Sequence, residues 1–169
     1  MKEIYLAGGC FWGTEHLFKQ VAGVTDTQVG YANGHHDHPT YKDVCTDGTG
    51  HAETVRIAYD EQRVALDMLL DIYFMAIDPT SVNQQGEDRG TQYRTGIYYV
   101  DEADRAIIDR RMAQEADRHS VPLAVEVEPL QCFWPAEDYH QDYLDKNPQG
   151  YCHIPLELMN YVRQLKGKP

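Results

Sequence analysis

The sequence predicts an α+β fold, a two-layer α/β sandwich in which helices pack on a mixed sheet. Segments with alternating apolar residues interleave along the chain with segments whose apolar residues recur every three or four positions. Two long, polar, glycine-bearing stretches, 23–52 and 81–95, interrupt this order, and such loops in a compact domain usually serve binding. A length of 169 residues with 42% hydrophobic content is enough for one core without a disulfide scaffold.

The first strand is "KEIYLA", with Ile4 and Leu6 on one face. From Thr14 the period becomes helical through Leu17, Phe18 and Val21, and a short strand near "TQVGYA" follows within the first loop. "ETVRIAYD" alternates through Val55, Ile57 and Tyr59. A helix over 61–77 carries Val64, Met68, Leu69, Ile72 and Ala76, closed by Asp78-Pro79. "GIYYV" reads as strand, and Asp101 caps a helix whose Ile107, Ile108 and Met112 turn inward. "LAVEVEPL" is a further strand. Pro135 opens a helix over "PAEDYHQDYLDKN", and a last helix after Pro155 buries Met159 and Val162. No linker or repeat divides the chain, so residues 1–169 are expected to form a single domain.

A formal charge of -12 repels phosphate backbones and anionic membranes, which argues against nucleic-acid or lipid partners. No apolar run is long enough to span a bilayer, and "MKEIYLAGG" lacks a signal-peptide layout, so a cytoplasmic location is expected. Cys10, Cys45, Cys132 and Cys152 are irregularly spaced, with no zinc-ribbon pattern. The histidines of "HHDH" fall within one short loop and read as solvated, so neither metal nor cofactor is expected.

In "LAGGCFWGTEHLF" a thiol lies where a strand meets a helix. The glycines have only the first spacing of a phosphate loop, Thr14 stands where its lysine should be, and Phe11 and Trp12 would crowd a phosphate. A cysteine at a helix start is instead expected to have a lowered pKa, with glycines keeping its sulfur accessible. The adjacent aromatics can be ordinary core or an apolar wall for a small greasy group. Glu53, after a glycine-rich turn and before a buried-looking strand, becomes a neutral acid if it is desolvated.

Four stretches, "GGCFWGTEHLF", "YKDVCTDGTGHAETVRIAYD", "VNQQGEDRGTQYRTGIYY" and "FWPAEDYHQDYL", together resemble the A-type peptide methionine sulfoxide reductases from about residue 4 to residue 155. The resemblance implies a ferredoxin-like core with long functional loops. It implies Cys10 as the nucleophile on the sulfoxide sulfur, with Phe11 and Trp12 holding the S-methyl group. Glu53 matches the acid that protonates the sulfoxide oxygen, and Tyr41 and Tyr93 the phenols that hydrogen-bond it. Asp88 matches an acidic position at the rim.

It further implies that Cys152 resolves the Cys10 sulfenic acid as a disulfide, which thioredoxin then reduces. Cys45 ranks behind Cys152 as resolving thiol, and Cys132 reads as structural. No thiol follows Cys152, so a third-thiol relay is not expected. His140 reads as satisfied within its helix. The expected protein is a monomer that reduces methionine S-sulfoxide, free or in peptides. A peroxide-sensing thiol protein would have no use for Glu53 and the two phenols. A module that only binds oxidised methionine would need neither thiol.

Overall fold

The structure, a computed structural model, describes residues 1–46 and 48–165. The last four residues of the expected domain, 166–169, lie outside that range. Strand β1 (Lys2–Ala7) leads into helix α1 (Phe11–Lys19), then strand β2 (Val24–Ala32), the short helix α2 (Tyr41–Val44), strand β3 (Ala52–Tyr59) and helix α3 (Leu66–Ala76). Two-residue strands β4 (Gln84–Gln85) and β5 (Asp88–Arg89) form a small hairpin, followed by a 3₁₀ turn at Thr91–Tyr93 and strand β6 (Gly96–Tyr99). Helix α4 (Asp104–Ala116), strands β7 (Glu126–Pro129) and β8 (Phe133–Pro135), a 3₁₀ turn at Asp138–His140, helix α5 (Tyr143–Lys146) and helix α6 (Leu156–Gln164) complete the chain.

The six-stranded sheet runs β7-β6-β1-β3-β2-β8. Its inner four strands pair with one another antiparallel, in the ferredoxin-like order β6-β1-β3-β2 with α1 and α3 as crossovers. β7 adds in parallel to β6, so the sheet is mixed. The strand pleat divides the sequence cleanly. Ile4, Leu6, Val29, Tyr31, Val55, Ile57, Ile97 and Tyr99 join one core with Leu17, Phe18, Leu69, Ile72, Ile108, Met159 and Val162 from α1, α3, α4 and α6. Tyr5, Ala7, Ala32, Ala52 and Tyr98 cover the opposite face with Leu130 and Phe133.

Several element boundaries differ from the sequence reading, each for a local reason. β2 is nine residues long, because its far half pairs with β3 although its outer residues are exposed and polar. A register shift between Val24 and Asp26 bulges that strand at the end remote from the helix α1 N-terminus. α1 begins at Phe11 rather than Thr14, since Cys10 already has extended, N-cap dihedrals. α3 starts at Leu66, because Asp60 caps a turn over the preceding residues.

The expected helix over "PAEDYHQDYLDKN" is not continuous. Its first residue, Pro135, is the last of strand β8, and Asp142 at φ 55 separates a 3₁₀ turn from α5. The buried Glu15 carboxylate accepts the Asp142 N–H at 2.8 Å and the Thr27 hydroxyl at 2.9 Å, which ties this break to α1 and β2.

The antiparallel order has a direct spatial result. Ala7 pairs with Thr54 and with Gly96, so the end of β1, the start of β3 and the start of β6 meet at one end of the sheet. Tyr31 near the end of β2 pairs with Glu53. Both long polar loops therefore empty onto the same end as Cys10.

Candidate active site

Gly9 has φ +82, a conformation open to glycine, and it turns the chain from β1 into α1 so that Cys10 caps the helix. Odd-numbered residues of β3 face the helices, which places Glu53 beneath the start of α1. Its carboxyl is 1% exposed and accepts the Phe11 N–H on Oε1 at 3.2 Å and a Gln92 amide N–H on Oε2 at 3.1 Å. Burial pushes its pKa up to about 8, against the lowering effect of those two hydrogen bonds and with a smaller push from Asp88. At neutral pH this group is therefore largely a carboxylic acid.

Cys10 corrects the sequence expectation. It is 8% exposed, and its thiol pKa is raised, first by burial and then by the charge of Glu53. The Trp12 and Gly13 backbone N–H groups act in the expected, lowering direction but are outweighed. The expected accessibility also fails. A Cβ on Gly13 would lie 3.0 Å from His153 Nδ1 and 3.1 Å from Ile154 Cγ1, so this bare stretch of α1 is where the C-terminal segment packs. His153 Nε2 donates to the Gly8 carbonyl at 3.1 Å, and Tyr151 donates to Asp88 Oδ2 at 3.1 Å, which closes the segment over the site.

Tyr41, from the first loop, and Tyr93, from the second, have phenols within hydrogen-bonding reach of each other. Both are held well above the usual phenol range by burial and then by the charge of Glu53, so both remain proton donors. Glu137 positions the first loop by accepting the Tyr41 backbone N–H at 3.0 Å and the Tyr31 hydroxyl at 2.9 Å. Phe11 and Trp12 separate in role. Phe11 is 1% exposed and belongs to the core, tilted against Tyr31. Trp12 is half-buried, stacked on Tyr143 with centroids 3.7 Å apart and planes 9° from parallel.

The four cysteines are free thiols. Cys45 ends α2 and takes an N–H from the same Gln92 nitrogen that holds Glu53, at 3.5 Å. Cys152 is half-buried, its thiol raised by burial and directed at the Ile154 carbonyl at 3.7 Å. It lines a groove of about 400 Å³ with Leu144, Leu156, Met159 and Arg163. Cys132 points at the Gly34 carbonyl.

In the histidine-rich first loop the buried histidine is His51, whose ring takes the Gly34 N–H and meets the His36 carbonyl. Among the described residues no group of three or more His, Cys, Asp or Glu is placed to hold a metal ion.

Over residues 2–167 the chain matches the family model described as "Peptide methionine sulfoxide reductase". The chain belongs to the peptide methionine sulfoxide reductase family. A relative named peptide methionine sulfoxide reductase MsrA, from Clostridium acetobutylicum, is 55% identical over 94% of this chain and 98% of its own. Among solved structures, Mxr1 from Saccharomyces cerevisiae in reduced form superposes with a TM-score of 0.86 at 40% identity, covering 91% of each chain. Mxr1 in complex with Trx2 superposes at 0.60 with 26% identity, covering 84% of each chain.

The protein is thus an oxidoreductase of this reductase family, with an α+β fold shared by its structural neighbours. Its geometry gathers Cys10, Phe11, Trp12, Tyr41, Glu53, Asp88 and Tyr93 at one end of the sheet and lays the Cys152-bearing segment across them. Gln92, Glu137 and His153 are contributors that pattern reading of the reductase sequence missed. Gln92 adjoins Tyr93 in the second loop, and that adjacency was the available signal. His140 is also corrected: it lies in a 3₁₀ turn, with one ring nitrogen bonded to Trp12 and the other without a hydrogen-bond partner among the described residues.

Proposed function

We propose that this chain reduces the S epimer of methionine sulfoxide, free or in peptides, with Cys10 as nucleophile and Glu53 as acid. The observation that carries the reading is the buried, neutral Glu53 carboxyl held against the N-terminus of α1 beside the Cys10 thiol. A sulfoxide oxygen leaves carbon-bound sulfur readily only when protonated, and a protonated carboxyl flanked by two phenols supplies that proton and the hydrogen bonds. Trp12, with the edge of Phe11, forms the wall for the methyl group, and Asp88 borders the site.

Cys10 sulfur attacks the sulfoxide sulfur as the oxygen takes the Glu53 proton. The sulfur–oxygen bond of the substrate breaks and the oxygen passes to Cys10 as a sulfenic acid, while the Cys10 proton restores Glu53. The substrate sulfur gains two electrons and Cys10 loses two, with no net proton consumed. Cys152 then displaces water from the sulfenic acid to form a disulfide. A dithiol protein of the thioredoxin class reduces that disulfide, a reading supported by the Trx2 complex of the yeast neighbour. The groove at Cys152 offers such a partner an approach. The chain acts as a monomer in the cytoplasm, one domain throughout, with no cofactor and no nucleic-acid or membrane partner.

Single-turnover reduction of a methionine sulfoxide peptide tests this. Cys10→Ser should abolish turnover. Glu53→Gln should slow the chemical step about 10²-fold or more. Cys152→Ser should release one equivalent of thioether and stop. Normal cycling by Cys152→Ser would transfer the resolving role to Cys45, and an unchanged rate in Glu53→Gln would place the acid elsewhere.

A further inference from the structure

The residue after Cys152 has no part in the proposed chemistry, yet its ring rests on the backbone that carries Cys10. A Cβ on Gly9 would lie 3.2 Å from His153 Nε2, and one on Gly13 would lie 3.0 Å from Nδ1 and 3.2 Å from Cε1. The glycines on either side of Cys10 thus leave a bare seat that the imidazole fills. The Gly8 carbonyl lies 3.1 Å from Nε2, and a carbonyl can only accept, so Nε2 carries a proton. Burial holds the ring below the usual imidazole range, against the raising effect of the Gly8 carbonyl and of Asp88, which leaves the ring neutral and Nδ1 bare. That Nδ1 is buried, with no hydrogen-bond partner among the described residues.

An apolar ring would cover the same glycines without an orphaned acceptor, so packing alone disfavours histidine here. What the imidazole adds is the Nε2–H, which links the residue after Cys152 to the residue two before Cys10. On the other side of Cys152, Tyr151 is fastened to Asp88, but Tyr151 is 46% exposed and water competes for that bond. The sheltered fastening is the one at His153. A thiol on a loose segment meets a sulfenic acid only as often as the segment visits it, and a tether raises its effective concentration without altering either sulfur.

We propose that His153 is a positioning residue for the second half of the reaction: seated on Gly9 and Gly13 and donating to the Gly8 carbonyl, it keeps Cys152 within reach of the Cys10 sulfenic acid. This rests on the reading of Cys152 as the resolving thiol. In that step a lone pair of the Cys152 sulfur forms the sulfur–sulfur bond, and the sulfur–oxygen bond of Cys10 breaks with its electron pair going to oxygen. The oxygen leaves as water with the Cys152 proton; formally, Cys152 loses the one electron that Cys10 regains. His153 exchanges no proton in the step and acts only through the placement of Cys152.

The experiment is a single turnover with one equivalent of a methionine sulfoxide peptide and no reductant, quenched at intervals, for wild type, His153→Phe, His153→Gln and Cys152→Ser. Thioether release times the first step, and loss of a second thiol times the disulfide. His153→Phe should release thioether no more slowly than wild type and form the disulfide about tenfold more slowly. Dimedone, which traps sulfenic acids, should accordingly label Cys10 more heavily in His153→Phe than in wild type. His153→Gln, whose amide N–H can reach the Gly8 carbonyl, should recover most of the disulfide rate.

Disulfide formation at the wild-type rate in His153→Phe would overturn the proposal. So would equal slowing of both steps, which would be damage to the whole site, or a His153→Gln as slow as His153→Phe, which would leave packing as the cause. If Cys152→Ser still loses a second thiol, the reading of Cys152 as resolving thiol fails first. A Cys152→Ser that halts at the sulfenic acid beside a normal His153→Phe overturns only the role of His153.

Should His153→Phe not fold, ring-nitrogen magnetic resonance of the reduced wild type against His153→Gln decides the matter. The imidazole signals lost in His153→Gln should show a proton on Nε2, slow to exchange with solvent, and a bare Nδ1. A ring protonated on Nδ1, or an Nε2 proton that exchanges as fast as that of an exposed histidine, would overturn the proposal.

Discussion

At Cys10 and Glu53 the burial that makes one group useful restrains the other. Glu53 needs low polarity to hold its proton at neutral pH, and the same surroundings keep Cys10 a thiol. The charge of Glu53 bears on Cys10 only when the acid is ionised, above about pH 8. In the proposed reaction, transfer of the Glu53 proton to substrate and loss of the Cys10 proton are therefore best coupled within one complex.

The pH dependence follows with a definite sign. The folded pKa of Glu53 lies above its unfolded value of about 4.3, so its contribution to stability is complete below that value and is lost as pH rises through about 8. Urea unfolding should show Glu53→Gln gaining on wild type between about pH 5 and about pH 9. The limiting single-turnover rate of wild type should fall as pH passes through about 8, a limb absent from Glu53→Gln. A difference in stability that stays flat with pH would mean that Glu53 is ionised throughout.

Among the elements, α1 shows how a local preference is overridden by what packs on it. Alanine is worth up to about 1 kcal/mol more than glycine inside a helix. Gly13 nevertheless occupies the third position of α1, where an added Cβ would press on His153 and Ile154. Gly13→Ala should leave the helix formed but lift the 152–154 segment. Alkylation of Cys10 and Cys152 at neutral pH should then be several times faster, with far-ultraviolet circular dichroism unchanged. Unaltered alkylation would mean that the segment accommodates the methyl group without moving.

The strands and main helices were legible because their faces are sorted by period, as the split of Ile4 and Leu6 from Tyr5 and Ala7 illustrates. The "EDYHQDYL" segment was not, because its break depends on Asp142 being held by a glutamate in a distant helix. Glu53 could be singled out from its place between a glycine turn and a strand. Gln92 and His140 carry no such local mark of their contacts, since Gln92 bonds Glu53 and Cys45 and His140 bonds Trp12, all far away in sequence. The thiol of Cys10 was misread because a helix start is visible in a sequence and the segment that covers it is not.

For the whole molecule, the sheet ends in strands unsuited to pairing with another copy. β7 has four residues and finishes at Pro129, and β8 has three and finishes at Pro135. Together with a net charge of -12, these edges oppose association through the sheet. Sedimentation at micromolar concentration should give one species of single-chain mass. A stable dimer would require the apolar surface near Tyr151, Leu156 and Tyr161, which is exposed, to be the contact.

The bulge in β2 bears on how such a site tolerates change. A slip of one residue in the β2–β3 pairing would exchange inward and outward side chains, turning Glu53 away from Cys10. The irregularity lies between Val24 and Asp26, far from the Tyr31–Glu53 pair. It works as an expansion joint: a residue gained or lost in the turn after α1 can be absorbed there. Glu53 stays in alignment with Cys10 while the remote end of the ribbon shifts.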